Sequence, residues 1–531
     1  MSNSRKYDAV IVGGGHNGLV NGAYLAKAGL DVVVLERRPF VGGAAITEEL
    51  IPGFKFTTFS YALSLIRPDV VQDLELAEHG MMTLPMPSEL HLSASGEYLQ
   101  FGPDEHQNYH ELARYSIEDA EAMRDYFHML DRVRHALKPL MDRIPPNPAS
   151  DDPKDVADLA AFNDYLDGLE PDVRAMIGRF YNGSVADVLD EYFESDLLKG
   201  LLAGSGIIGS MCGPRSKESG LVYLLHVLGE RDGIFGEWGF HKEGNGGLTK
   251  TLRRAFEAFG GTVECDVAVD HVIEEDGRAV GVRLAGGEVI SADVVVSSLD
   301  PRRTFLDLVD PDTMPADLVE AITDYKFQGS ASKVNFALDD LPTFPGFEGR
   351  ADIFQGFTNI GPSMDYLQEA FDDAAAGRIS RRPFLDCCVQ STIDPDMTPP
   401  GKHIMSCFVM YTPYQLAEGD WDSERETLGD IVQETLGEIF PGFDALVLHR
   451  EVVTPLDIER VVGITEGNIF HGELFESQMF FNRPAPGWNQ YRTPLAGYYQ
   501  CGSGTHPGGC VMGGPGKLAA QQILSDRTSV A

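Results

Sequence analysis

The sequence predicts an α/β fold in which one discontinuous domain, assembled from three parts of the chain, carries an inserted α+β domain. Near the N-terminus, within residues 7–29, an apolar strand runs through a glycine-rich turn into a helix. Strand patterns crowd residues 262–300, and a glycine-dense turn precedes a last helix within residues 497–524. The first pattern is typical of a Rossmann-like unit, and the two later segments are expected to complete the same domain.

The N-terminal glycine motif lies between an apolar strand and a helix. Residues 7–12 lead into Gly13-Gly14-Gly15-His16-Asn17-Gly18, and the helix pattern extends to Gly29. A second apolar strand, residues 30–35, ends at Glu36, which stands 23 residues after Gly13, where an acid binds ribose hydroxyls. A turn without a ligand is the alternative, but strand, glycines, helix and acid together predict binding of an adenine dinucleotide.

Three positions of this motif require glycine for physical reasons. Gly13 allows the tight turn, Gly15 lets the backbone approach a pyrophosphate, and Gly18 lets the helix pack closely against the strand. The N-terminus of the helix then faces the anion. NAD and FAD share this motif, and so other residues must decide between them.

A second glycine-rich segment lies at the far end of the chain. Residues 497–524 read GYYQCGSGTHPGGCVMGGPGKLAAQQIL, which predicts a strand, a glycine-dense turn and a helix that begins near Gly513. Backbone amides at such a helix start would suit the pyrimidine edge of a flavin. The alternative is a C-terminal turn without a ligand.

Residues Tyr499–Gly509, with the pattern Y-x-C-G-x-G-T-H-P-G-G, resemble the C-terminal FAD motif of phytoene desaturase-like proteins, in their phytoene dehydrogenase-related branch. Gly42-Gly43 resembles the glycine pair that lies against FAD in the glutathione reductase and amine oxidase superfamily, where arginine usually follows; this chain has Ala44. The resemblance implies FAD as the cofactor. The cofactor-binding residues that it and the first motif imply are Gly13, Gly14, Gly15, Asn17, Gly18, Glu36, Arg37, Gly42, Gly43, Val269, Ser298, Gly504, Val511 and Met512.

The resemblance also implies how the chain is divided. The flavin site of the family draws on residues near 13, 269 and 510, so the FAD-binding domain would comprise residues 1–75, 240–310 and 485–531. The remaining segments, 76–239 and 311–484, would form the substrate-binding domain.

The substrate-binding domain has two recognisable parts. A helical part is expected near residues 105–230, interrupted by a proline-rich stretch. Strand patterns at residues 332–338, 383–393 and 403–410 predict a sheet that helices cover.

The flavin would carry the chemistry by accepting a hydride, so that the protein mainly orients the substrate and excludes water. The resemblance places His506 near the flavin ring, where it would shape the pocket or move a proton; a structural histidine is the alternative. His241 and Trp238 are further candidates, with core packing as their alternative. Cys510 offers a covalent link to FAD, although its surroundings resemble those of desaturases, which bind FAD non-covalently.

Composition excludes several classes of protein. With 81 acidic and 42 basic residues the formal net charge is −39, which disfavours nucleic acid as a partner. Seven cysteines without C-x-x-C spacing indicate a reducing compartment. No signal or transit peptide is evident and no run of 18 apolar residues is present, so we expect a cytoplasmic protein with at most peripheral membrane contact. The histidines and cysteines suggest no cluster of ligand spacing, and we expect no metal site.

These observations predict an FAD-dependent oxidoreductase of the desaturase or dehydrogenase type, which oxidises a largely apolar or lipid-like small molecule by hydride transfer to flavin. A flavin amine oxidase is the alternative within enzymes. A carrier that binds lipid without catalysis, of the Rab GDP-dissociation inhibitor type, is the alternative outside them. Substrate identity, electron acceptor and oligomeric state stay open.

Overall fold

A computed structural model describes residues 5–231 and 234–530 of the chain. Within these ranges most strands belong to two large sheets, and three short two-stranded sheets join neighbouring segments. The strands are β1 (Arg5–Val12), β2 (Val32–Leu35), β3 (Glu48–Ile51), β4 (Phe54–Phe56), β5 (Thr83–Pro85), β6 (Ser88–Leu92), β7 (Tyr98–Phe101), β8 (Glu230–Arg231), β9 (Ile234–Phe235), β10 (Gly239–His241), β11 (Thr262–Glu264), β12 (Val269–Glu275), β13 (Arg278–Leu284), β14 (Val289–Ser297), β15 (Ala331–Leu338), β16 (Gly356–Ile360), β17 (Phe384–Cys388), β18 (His403–Met410), β19 (Val447–Val453) and β20 (Tyr498–Gln500).

Helices cover the sheets and also form a separate cluster between residues 105 and 227. Short 3-10 and π turns complete the described chain. The α-helices are α1 (His16–Lys27), α2 (Pro68–Asp73), α3 (Glu105–Leu112), α4 (Ile117–Met141), α5 (Pro153–Asp167), α6 (Pro171–Asn182), α7 (Val185–Asp190), α8 (Asp196–Gly204), α9 (Glu218–Val227), α10 (Asn245–Ala258), α11 (Ala316–Thr323), α12 (Met364–Ala375), α13 (Trp421–Ile439), α14 (Phe443–Leu446), α15 (Pro455–Asp457) and α16 (Gly514–Val530).

The first large sheet has the strand order β11-β2-β1-β14-β13-β12, and β20 pairs with the end of β14. Its centre is parallel, since β1 runs parallel to both β2 and β14. The residues of β2, VVVL, are all buried, as expected for a parallel strand with both faces covered. Helices α1, α10 and α16 pack together on one face. The predicted α/β class with a Rossmann-like sheet is confirmed.

All strands of this sheet fall within residues 5–12, 32–35, 262–297 and 498–500. Each of these ranges lies inside the segments that the sequence assigned to the FAD-binding domain. The exact domain boundaries stay a prediction, because the sheet shows which strands belong together and not where each domain begins or ends.

The second large sheet has the order β19-β15-β18-β17-β16-β6-β7. Only β16 and β6 run parallel, and the other neighbours within this sheet are antiparallel. One face packs against α13 in a core that includes Val334, Phe336 and Trp421. Side chains alternate between the two faces along a strand. Ala331 and Lys333 occupy the other set of positions in β15 and therefore point to the opposite face of the sheet. That face borders a cavity that residues of the first sheet also line.

Two sequence predictions differ from the structure at their ends. The strand expected at residues 383–393 ends at Cys388, because a 3-10 turn follows in which Thr392 N–H donates to the Val389 carbonyl. The second strand begins at Val32 instead of residue 30, since Leu30 N–H still donates to the Leu25 carbonyl of α1. The strand predicted at residues 403–410 is confirmed by β18.

None of the helices in the described ranges is both long enough and apolar enough to cross a membrane.

Candidate active site

One cavity extends from the glycine loops of the first sheet to the open face of the second sheet. The space within it that is open to the centres of water molecules measures about 280 Å³. Its first end is lined by backbone and small residues, among them Gly13, Gly15 and Gly43. Its other end, which we call the chamber, is lined by the residues Tyr61, Glu89, Leu201, Trp238, Lys333, Phe357, Phe384, Asp386 and Phe408.

The turn after β1 leaves open space in front of the first helix. Gly13 has a φ of +95°, and a Cβ on Gly18 would lie 2.2 Å from the Gly13 carbonyl oxygen, so that only glycine fits there. A Cβ on Gly15, by contrast, would meet no atom within 4 Å. Gly15 is the N-cap residue of α1, whose free N–H groups favour an anion. This end therefore fits the pyrophosphate of a dinucleotide.

Glu36 lies where β2 ends and is held by two backbone amides. Gly14 N–H donates to Glu36 Oε2 at 2.8 Å, and Arg38 N–H donates to Oε1 at 2.9 Å. The side chain is buried yet borders the cavity, as a ribose-binding acid must.

The glycine pair Gly42-Gly43 lies directly beside the first glycine motif. Gly42 N–H donates to the Gly14 carbonyl at 2.8 Å, and Gly42 forms a bridge with Gly15. Both glycines have positive φ values, +133° and +58°, which other residues rarely adopt. The two motifs thus form one wall of the cavity.

The C-terminal glycine segment closes the same end of the cavity. Asn17 Nδ2 donates to Ser503 Oγ at 3.2 Å, and Asn21 Nδ2 donates to the Gly516 carbonyl at 3.0 Å. A Cβ on Gly516 would lie 2.4 Å from the Asn17 carbonyl oxygen, so that α16 crosses α1 at close range. Ser503, Cys510 and Val511 border the cavity beside α1.

Three polar side chains at this end have atoms without a hydrogen-bond partner among the described residues. They are His16 Nε2, Asn17 Oδ1 and His471 Nδ1, and all three residues border the cavity. Burial lowers the pKa of His16 to about 4 and that of His471 to about 3. Both histidines are therefore neutral near pH 7 and offer uncharged hydrogen-bonding groups. Buried polar atoms normally have partners, which indicates that a polar ligand such as FAD belongs here.

The chamber end presents one face of the second sheet. In register, Lys333 lies opposite Phe408, which in turn lies opposite Asp386. In the neighbouring row, Phe357 lies opposite Glu89. All five residues therefore face the chamber, and aromatic rings separate the charged groups.

Burial shifts the ionisation of these charged groups. It lowers the pKa of Lys333 to about 7, and it raises the pKa values of Glu89 and Asp386 to about 7. Lys333 Nζ lies 3.9 Å from the centroid of the Tyr61 ring, and Tyr61 Oη donates to Asp386 Oδ2 at 2.7 Å. Perturbed groups of this kind in a cleft mark a candidate reaction site.

The two predicted catalytic histidines do not border this cavity. His506 is buried, and its Nε2 donates to the Leu140 carbonyl at 3.1 Å while burial lowers its pKa to about 4. His241 Nδ1 donates to the Lys242 carbonyl at 2.5 Å, and its Nε2 accepts from Met82 N–H at 3.4 Å. These contacts favour the structural alternative for both residues, and their catalytic roles stay predictions. Trp238, in contrast, borders the chamber.

The predicted cofactor-binding residues divide into two groups. Gly13, Gly15, Asn17, Glu36, Gly42, Gly43, Ser298 and Val511 border the cavity. The structure does not bring the other six to its lining, and their contact with FAD stays a prediction: Gly14, Gly18, Arg37, Val269, Gly504 and Met512.

Four of these six residues make contacts outside the cavity lining. Gly14 N–H holds Glu36, and Gly18 allows the close approach of α1 to the turn. Arg37 donates instead to the Val461 carbonyl at 2.7 Å. Val269 lies at the start of β12 and packs into the core on the other side of the sheet.

Sequence analysis missed the charged residues of the chamber, Lys333, Asp386 and Glu89. Each lies in a short apolar strand: ASKVNFAL, FLDCC and SELHL. A charged residue within an apolar strand is costly to bury, and this pattern was the signal that could have identified all three.

The histidine spacing also needs a correction, since His106 and His110 form an H-x-x-x-H pair on α3. Their Nε2 atoms are 3.1 Å apart on the surface. No group of three or more potential ligands occurs in the part of the chain that the structure describes, so the pair lacks further ligands.

Glycine loops, a ribose acid and an adjoining chamber define a dinucleotide-binding protein with a second ligand site. Residues 18–524 match the family described as flavin containing amine oxidoreductase, and the chain belongs to this family. FAD is accordingly its cofactor, as predicted, and the residues around Gly15, Glu36 and Gly42 fit it.

Individual relatives refine the comparison. The chain is 38% identical to pyridine nucleotide-disulfide oxidoreductase domain-containing protein 2 of Rattus norvegicus, over 98% of this chain and 94% of the relative. It is 23% identical to a lycopene-forming phytoene desaturase of a Paracoccus species, over 98% of each chain. A triple mutant of putrescine oxidase has the same fold, with a TM-score of 0.59, 16% identity and 99% of each chain covered. The predicted resemblance to phytoene desaturase-like proteins is confirmed.

Proposed function

We propose that this FAD-dependent oxidoreductase acts as a desaturase or dehydrogenase on a largely apolar substrate, from which a hydride passes to the flavin. The observation that carries the proposal is the continuity of the cavity. The same cavity borders Gly15 at the nucleotide end and Phe357 and Phe408 in the chamber. A substrate in the chamber would therefore lie next to a dinucleotide bound at the glycine loops.

The residues of the chain have distinct tasks in this proposal. Bound FAD supplies the hydride acceptor. The N–H groups at the start of α1 hold its pyrophosphate, and Glu36 holds its ribose. Leu201, Phe357 and Phe384 hold an apolar substrate body and exclude water from the chamber. One relative, the phytoene desaturase, is named for an apolar substrate, which supports the same substrate class here.

Anaerobic reduction of the flavin tests this proposal. Purified holoenzyme is mixed with terpenes and long-chain lipids, and the flavin absorption band is followed as it bleaches. We expect at least one apolar compound to reduce the flavin. Ser205, the residue after the end of α8, also borders the cavity. Ser205→Trp should fill part of the cavity and slow that reduction at least tenfold, whereas Ala157→Trp on the exposed face of α5 should not. Reduction by small polar compounds alone would overturn the proposal.

Amine oxidation is the second candidate, which the family match and the fold of putrescine oxidase favour. The charged groups of the chamber favour neither candidate, because Lys333 would repel a protonated amine whereas Asp386 and Glu89 would attract it. The same anaerobic assay with alkylamines separates the two candidates. No observation favours a non-catalytic carrier over an enzyme.

We further propose that the protein works in the cytoplasm and obtains its apolar substrate by peripheral contact with a membrane. All seven cysteines are unpaired, which supports a reducing compartment. Fractionation of cells tests the location. Sedimentation of the purified protein with neutral phosphatidylcholine vesicles tests the contact, and failure to sediment at any lipid concentration would contradict it.

A further inference from the structure

His471 lies in a turn that the surrounding residues hold in one conformation. Its φ is +58°, which residues other than glycine rarely adopt. Asn468 Oδ1 accepts from the backbone N–H groups of Phe470 and Gly472, at 3.0 Å each, and so fixes the turn on both sides of His471. Asn468 is fully buried, and its Nδ2 donates to Glu473 Oε1 at 3.0 Å. The fold thus maintains an unfavourable backbone conformation at a residue that borders the cavity.

No hydrogen bond joins the ring of His471 to the described part of the chain. Its Nδ1 is buried without a partner, although buried polar atoms normally have one. Burial lowers the pKa of the ring to about 3, so that the ring is neutral near pH 7 and carries one hydrogen. That hydrogen is available to a ligand in the cavity.

The two other unpartnered atoms at this end of the cavity are acceptors. Asn17 Oδ1 is a carbonyl oxygen, which only accepts. The ring of His16 donates to the Cys510 backbone, which partly offsets the effect of burial on the pKa of His16. Because the neutral ring has one hydrogen and Nε2 has no partner, Nε2 is left as an acceptor. Among these three side chains, His471 is therefore the donor.

The position of His471 indicates which part of FAD it meets. His471 is close enough to His16, the first residue of α1, to lower the pKa of His16. The free N–H groups at the start of α1 are the expected site of the pyrophosphate. The oxygens of a pyrophosphate accept hydrogen bonds and do not donate them, and so the donor His471 suits this group.

A pyrophosphate at this place would meet few other side-chain donors. No arginine lines the described cavity, and its one lysine lies in the chamber. Ala44, which follows the glycine pair where the resemblance leads us to expect arginine, has no donor on its side chain. Ala44 and Ile469 both pack against the apolar cluster that contains Ile464. The segment that leads to His471 therefore runs beside the glycine pair.

We propose that His471 donates a hydrogen bond to a phosphate oxygen of FAD, in place of the arginine that this chain lacks after Gly43. His16 Nε2 and Asn17 Oδ1 then remain for hydroxyl or N–H groups of the same cofactor. The inference concerns how this chain holds FAD and does not depend on the substrate.

Release of FAD on dilution tests the inference. Holoenzyme is diluted in series, and the rise of flavin fluorescence gives the dissociation constant of FAD. His471→Gly removes the donor and suits the positive φ at this position. We expect its dissociation constant to rise at least tenfold, as the loss of a hydrogen bond to a charged group predicts.

Two further variants of equal shape separate the loss of the donor from the loss of the ring. Asparagine and aspartate both tolerate a positive φ. His471→Asn keeps an N–H group on its side chain, whereas His471→Asp can only accept near pH 7. We expect His471→Asp to bind FAD at least tenfold more weakly than His471→Asn does. This comparison holds even if His471→Gly does not fold.

Phosphorus NMR of holoenzyme saturated with FAD shows where the contact lies. At least one of the two phosphate signals should move between the parent and His471→Gly. Asp276→Gly is the matched control, because Asp276 also has a positive φ, +51°, but is exposed in the turn between β12 and β13. It should change neither the dissociation constant nor the phosphate signals.

Three results would each overturn the inference. They are an unchanged dissociation constant in His471→Gly, weaker binding with unmoved phosphate signals, and equal binding by His471→Asn and His471→Asp. Each of them leaves the proposed hydride transfer standing, since the anaerobic reduction of the flavin tests that proposal separately.

Discussion

Asn17 and Ser503 are 486 positions apart in sequence, yet Asn17 Nδ2 donates to Ser503 Oγ at 3.2 Å in the buried wall of the cavity. The contact joins the first glycine motif to the last one. Because α16 also crosses α1 at Gly516, the C-terminal segment closes the nucleotide end of the cavity.

A double-mutant cycle measures this contact. Asn17→Ala and Ser503→Ala should each lower the free energy of unfolding of the apoprotein, with a coupling of about 0.5–1.5 kcal/mol between them. Urea unfolding of the two single variants and the double variant gives the coupling. Asn17→Ala combined with Thr528→Ala, at the exposed end of α16, should be additive. Additivity of the first pair as well would show that the contact contributes nothing.

Gly15→Val should remove FAD without unfolding the protein. The backbone at Gly15, with φ −68° and ψ 171°, suits any residue, and the new side chain would enter open space where the pyrophosphate is expected. We expect FAD affinity to fall at least tenfold, read from the ratio of flavin to protein absorbance.

Gly178→Val on α6 is the matched control for this substitution, because a Cβ there also meets no atom within 4 Å. The melting temperature of both apoproteins should stay near that of the parent chain. Full flavin content in Gly15→Val would place the cofactor elsewhere.

FAD should be held without a covalent bond to Cys510. Burial raises the pKa of this thiol to about 12, so that little of the reactive thiolate is present near pH 7. We expect acid precipitation to release all flavin into the supernatant, and Cys510→Ser to keep its colour. Flavin retained in the pellet of the parent protein and lost from that of Cys510→Ser would establish the covalent link.

Glu89 should make the protein less stable as the pH rises. Burial raises its pKa from 4.5 to about 7, so the folded state binds the proton more tightly than the unfolded state does. The free energy of unfolding therefore falls as the pH rises from about 4.5 to about 7. Glu89→Gln should melt at least about 2 °C above the parent at pH 8, and near it at pH 5.

Thermal melting with excess FAD at both pH values provides the measurement. Glu274→Gln, exposed on β12, is the control and should follow the parent at each pH. A gain for Glu89→Gln of equal size at pH 5 and pH 8 would exclude ionisation of Glu89 as the cause.

The sequence did not predict correctly which histidine borders the cavity. His506 stands in a motif that resembles a flavin site, yet its ring packs against Phe480 and donates to Leu140, a residue from the distant α4. The orientation of the His506 ring depends on α4, and no local sequence pattern shows that α4 is a neighbour. His471, whose Nδ1 is free, borders the cavity instead.

The sequence by itself determined the N-terminal part of the nucleotide end, because strand, glycines and helix are contiguous and their chemistry is local. The open space at Gly15 and the position of Glu36 after β2 both follow from a motif contained in the first 36 residues. Only the tertiary structure decided the composition of the chamber. Lys333, Asp386 and Glu89 come from three distant strands, and the register of the second sheet is what brings them to one face.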